Sequence, residues 1–125
     1  MTPRPPKQPV ADLRVTRYAL DGGHSPREWA KAVAEARIDP GAPDGASVRV
    51  GVQITKARAV DVVVRVERLD TLPARIRAAL GRSESDRLYR SNAARRAVGL
   101  GRPLALLTAR MNGRPARLLI TQPPG

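Results

Sequence analysis

The stretch Val48–Leu69 reads VRVGVQITKARAVDVVVRVERL. Val48, Val50, Val52 and Ile54 alternate with Arg49, Gly51, Gln53 and Thr55, and Val60, Val62, Val64 and Val66 alternate with Asp61, Val63, Arg65 and Glu67. Successive side chains of a strand leave opposite faces, so β-branched residues at period two mark strands with one buried face. The short basic segment TKARA joins the two runs, and the simplest arrangement is an antiparallel hairpin at the centre of a sheet.

Working towards the C-terminus, Thr71 or Leu72 can cap a short helix over Pro73–Leu80, with Gly81 closing it. Leu72, Ile76 and Leu80 recur every four residues, which predicts an inward stripe, with Arg75 and Arg77 outward. Ser83 opens a second helical stretch with Asp86 three residues on. The apolar pattern then fails, and a break is expected near Ser91-Asn92, where Asn92 can cap a last short helix that ends at Gly99. Leu104–Met111 and Arg114–Thr121 flank Asn112-Gly113, the pair best suited to a two-residue type I′ turn. That loop sets the register: Met111 opposite Arg114, Ala109 opposite Ala116, Leu107 opposite Leu118 and Ala105 opposite Ile120 make a face that is apolar except at its tip, and so the core face.

Towards the N-terminus, Ser25-Pro26-Arg27-Glu28 combines an N-cap, a proline at the first helical position and a capping-box glutamate. The helix should run to about Ile38 with Trp29, Val33 and Ala36 on one stripe. A first strand is expected over residues 12–19, with its alternation slipping at Arg17. The expected fold is α+β: one small domain over residues 11–121, between a flexible basic Pro-rich tail (1–10) and a C-terminal tail (122–125). It holds a mostly antiparallel sheet of about five strands in the order β-α-β-β-α-α-β-β, with helices packed on one face.

Composition bounds the function. The 125 residues carry a net charge of +12. Residues 1–64 hold ten Lys/Arg against seven Asp/Glu, and residues 65–125 hold thirteen Arg against four acids, so the surplus lies in the second half. Such an asymmetry attracts polyanions through phosphate contacts and counterion release. Twenty of the 23 basic residues are Arg. A GC-rich genome accounts for Arg over Lys, but not for the surplus over acids. There is no Cys, which leaves no thiolate nucleophile, disulfide or cysteine metal site. No apolar run approaches a membrane span and no apolar core follows the basic N-terminus, so a cytoplasmic protein with no membrane partner is expected.

Catalytic constellations are not visible. His24 is the only histidine and precedes the N-cap, where a solvent-exposed loop residue is the expected reading. Asp21, Asp39 and Asp44 sit at turn positions, and Ser83, Ser85 and Asp86 read as capping residues. Phosphate-binding glycine patterns are missing. No metal or cofactor is expected, and the chain reads as a binding protein rather than an enzyme.

The segment LPARIRAALG, the Arg-rich stretch after it and the closing hairpin with NGRP resemble the end of chorismate lyase-like and UTRA effector domains. The resemblance runs from Leu72 to that hairpin and implies a small-molecule or effector-binding domain, in which an Arg would pair an anionic ligand.

The primary expectation is a small basic protein, without catalysis, that contacts nucleic acid phosphates, on DNA or RNA, through Arg side chains. Trp29, Tyr18 and Tyr89 are too few for base-stacking platforms, so backbone contacts are favoured. The candidate contacts are Lys56 and Arg58 in the first hairpin loop, Arg90, Arg95 and Arg96 in the helices, and Arg110, Arg114 and Arg117 at the second hairpin. The alternatives are the effector-binding domain and a protein-interaction module that meets an acidic partner, or pairs as a homodimer through a sheet edge.

Overall fold

A computed structural model describes residues 10–19, 24–36, 38–39, 41–55 and 58–123, with the side chains of Ile54, Thr55 and Arg58 left outside the description. The elements are β1 (Val10–Tyr18), α1 (Pro26–Glu35), β2 (Ser47–Thr55), β3 (Arg58–Arg68), α2 (Leu72–Ala79), α3 (Glu84–Arg90), α4 (Asn92–Ala97), β4 (Pro103–Met111) and β5 (Arg114–Thr121). The strands form one antiparallel sheet ordered β1-β4-β5-β3-β2. This is the expected small α+β domain. The expected tail over residues 1–10 falls outside the described residues except at Val10, which belongs to β1.

Both hairpins form as the sequence implies. Val50 pairs Val62 and Val48 pairs Val64 across β2 and β3. Asn112 and Gly113 adopt φ of 53° and 77°, and all four expected pairs of the β4–β5 hairpin hold. The first hairpin is not the centre of the sheet, however. β5 is, and β2 is an edge. β5 is apolar on both faces over Leu118, Leu119 and Ile120, all fully buried, and only an inner strand can bury both.

That double burial also corrects the expectation of helices on one face. α1 packs Trp29, Ala32 and Val33 against Val62, Val64, Leu107, Leu118 and Ile120 in one cluster. α3 and α4 cover the opposite face, where Leu88 meets Val63, Leu106 and Leu119, with Ala94 alongside. Arg65 and Glu67, which sequence alternation sends to solvent, therefore lie buried under the second helical layer.

The helix ends follow local rules. Ser25 and Glu28 form the capping box of α1. Thr71 caps α2, and Gly81 at φ 69° closes it: Gly81 N–H donates to Ala78 O and Arg82 N–H to Arg77 O. Ser83 and Asp86 form the capping box of α3, and Ser91, not Asn92, caps α4.

One helix is turned the other way from the expectation. Leu72, Ile76 and Leu80 are 67%, 51% and 64% exposed, and α2 presents the small Ala78 inward. A small inner face lets the helix backbone approach the sheet closely enough for Ala78 O to accept from Arg117 Nη2, and larger side chains there would hold it off. β1 is an edge strand with register shifts at Ala11/Arg14 and Val15/Arg17; the second lies where the alternation slips. No helix among the described residues is long and apolar enough to cross a membrane.

Candidate functional site

The second face of the sheet carries a buried polar network. Arg117 on β5 is 7% exposed, and its Nη1 lies 2.5 Å from Asp86 Oδ2 on α3 and donates to Ser83 Oγ at 3.2 Å. Asp86 Oδ2 also accepts from the Ser83 hydroxyl at 2.9 Å and the Ser83 N–H at 3.0 Å. Burial works to raise the Asp86 carboxyl, but the hydrogen bonds from Arg117 and Ser83 outweigh it and hold the group below its ordinary value. On β3, Glu67 accepts from the Glu84 and Ser85 N–H groups at the start of α3, and Arg65 Nη2 pairs Glu84 Oε1 at 3.0 Å. A carboxylate placed on free helix N–H groups is favoured by the helix dipole. These contacts seat α3 on the sheet.

At the rim of this network an open cleft of about 590 Å³ lies between α2, α3 and the end of β3. Arg68, Arg77, Arg82 and Arg87 line it, together with Asp44, Glu67, Asp70 and Glu84. The acids already have partners: Asp44 accepts from Arg68 N–H, Glu67 from α3, Asp70 lies 4.0 Å from Arg114, and Glu84 pairs Arg65. Arg77, Arg82 and Arg87 are exposed and make no ion pair with any described residue. The cleft thus offers three uncommitted guanidinium groups, a donor set suited to phosphate or carboxylate oxygens.

The expected contact residues do not form one group. Lys56 lies outside the described residues; Arg58 starts β3, but its side chain is not described. Arg95 is buried and donates from Nη1 to Leu88 O and Tyr89 O, so it ties α4 to α3 and is not offered to a ligand. Arg117 is likewise an internal residue and not part of the hairpin tip. Arg110 is exposed and pairs Asp12 at 3.5 Å. Arg114 is exposed on the opposite face. Arg90 and Arg96 are exposed on the helical layer, with no ion pair to a described residue. The cleft residues Arg77 on α2, Arg82 in the link after it and Arg87 on α3 are not among the expected contacts, and nothing in their spacing shows that the packing of α2 and α3 brings them together.

His24 is not a free loop residue. Its ring meets Trp29 edge to face at 5.4 Å, and Nδ1 lies 3.8 Å from Glu28 Oε2. Among the described residues no group of three or more His, Cys, Asp and Glu is placed to hold a metal. Comparison with protein-family models, with curated proteins and with solved structures finds no match for this chain.

Proposed function

We propose that this protein binds nucleic acid without chemistry, holding phosphates with the exposed arginines of its helical layer. The observation that supports the reading is the imbalance of that layer. Residues 72–98 contain seven Arg and two acids, and both acids are engaged within the fold, Glu84 by Arg65 and Asp86 by Arg117. Arg77, Arg82, Arg87, Arg90 and Arg96 remain for an outside anion. Trp29 is 1% exposed and Tyr89 half-buried, so Tyr18 is the one exposed aromatic of the three, too little for a stacking platform, which favours backbone contact on duplexes.

The effector reading draws less support. Of the buried arginines, Arg95 and Arg117 bond groups of the fold itself and Arg65 pairs Glu84, while α1 fills its face of the sheet with Trp29, Ala32 and Val33.

The test is titration of duplex DNA, structured RNA and single strands at two salt concentrations. Duplex binding in the range of roughly 10⁻⁴–10⁻⁶ M is expected, as for sequence-independent binding. The triple variant Arg77→Ala/Arg82→Ala/Arg87→Ala should weaken it on unrelated sequences alike and reduce the slope of log K against log salt by about three. Absence of binding to all three probes at low salt, or a slope unchanged by the triple variant, refutes the proposal.

A further inference from the structure

Phosphate binding leaves the outward face of α2 unexplained. We propose that this face is a docking helix for another protein, one that presents an apolar groove rimmed with Asp and Glu. Leu72, Ile76 and Leu80 recur every four residues and stand at half or greater exposure, whereas isolated exposed apolar residues would need no account. An apolar stripe at this spacing is how a helix anchors in a groove.

The flanks select the partner. Arg77 and Arg82, which also line the cleft, are exposed beside the stripe, as is Arg75, whose Nε donates to Leu69 O. The neighbouring acids do not offset them, since Asp70 faces Arg114 and Glu84 pairs Arg65. A second copy docking by twofold symmetry would set these arginines against themselves, a like-charge arrangement that opposes association. Nucleic acid would gain nothing from Leu and Ile on a phosphate surface. An acidic rim around an apolar groove satisfies both parts. α2 is also held in shape before binding, by the Thr71 cap and the Gly81 closure, so little ordering cost attends docking.

The probe is a synthetic two-helix peptide with a Leu/Ala-lined groove rimmed by Glu, beside an otherwise identical peptide rimmed by Lys. Fluorescence anisotropy should show binding of the Glu-rimmed peptide only. Leu72→Gln/Ile76→Gln/Leu80→Gln should weaken it at least about tenfold, while leaving duplex DNA binding and the melting temperature in place. Arg75→Glu/Arg77→Glu should exchange the preference and take up the Lys-rimmed peptide. Equal binding of both peptides by the wild type, or undiminished binding by the Gln variant, overturns the proposal. So does self-association of the wild type in sedimentation that the Gln variant abolishes, which would make the stripe a contact between copies. Loss of duplex binding in the Gln variant would show that the two surfaces are one, and so overturn the docking role while leaving the phosphate reading standing.

Discussion

Replacing Arg117 by Met should be among the most damaging single changes to this fold. The side chain is nearly out of solvent and bonds Asp86, Ser83 and the Ala78 carbonyl at once. Removing one partner of a buried pair costs roughly 3–5 kcal/mol, because the remaining charge stays desolvated. Asp86 keeps the Ser83 hydroxyl and N–H, and Arg17 lies 3.9 Å away, so its charge is not stranded completely. That places the expected loss at the lower end, about 3 kcal/mol. The double variant Arg117→Met/Asp86→Leu should regain about 2 kcal/mol of this, since an apolar pair needs no desolvated charge. The remainder reflects the lost acceptor for Ser83 and the unpaired Ala78 carbonyl. Urea titration reads both, as a change in midpoint at constant slope. A cost below about 1 kcal/mol for Arg117→Met, the value of an exposed pair, refutes the view that this network seats α3 on the sheet.

The pH dependence follows from the same carboxyl. Asp86 titrates lower in the folded state than in the unfolded chain, so the unfolded chain binds more protons as pH falls through the ordinary Asp range. The stability it contributes is complete above that range and is lost as pH falls through the depressed folded value; urea midpoints from pH 6 to pH 2 should therefore fall less steeply in Asp86→Asn than in the wild type. Ser25→Ala should destabilise by roughly 0.5–2 kcal/mol through loss of the α1 cap, measured by thermal melting, and an unchanged Tm would remove the capping box from the account. Gly101→Ala should cost about 1–3 kcal/mol, because a Cβ there meets the Gln122 and Pro123 backbone and cannot move it cheaply.

Much of the architecture is written locally. The valine alternation in β2 and β3, Asn112-Gly113, the Ser25 and Ser83 boxes, and Gly81 and Gly99 at helix ends all act within a few residues, through sterics and short hydrogen bonds. Such signals survive without knowledge of neighbours, and the strands, the register of the β4–β5 hairpin and the starts of α1 and α3 were legible for that reason. The site was less so. Arg77, Arg82 and Arg87 are ordinary outward arginines in sequence, and their convergence depends on how α2 and α3 sit beside the end of β3.

Which face of each element turns inward was decided by partners remote in sequence. Arg65 and Glu67 look like the solvent side of β3 until α3, placed by Arg117 and Asp86, covers them. Leu72, Ile76 and Leu80 look like a core stripe until Ala78 O meets Arg117 across 39 residues and turns the smaller face in. Local sequence therefore determined the strands, the turns and the helix ends. The tertiary structure alone decided which arginines are structural and which are free, because the desolvation of a charge depends on what folds over it.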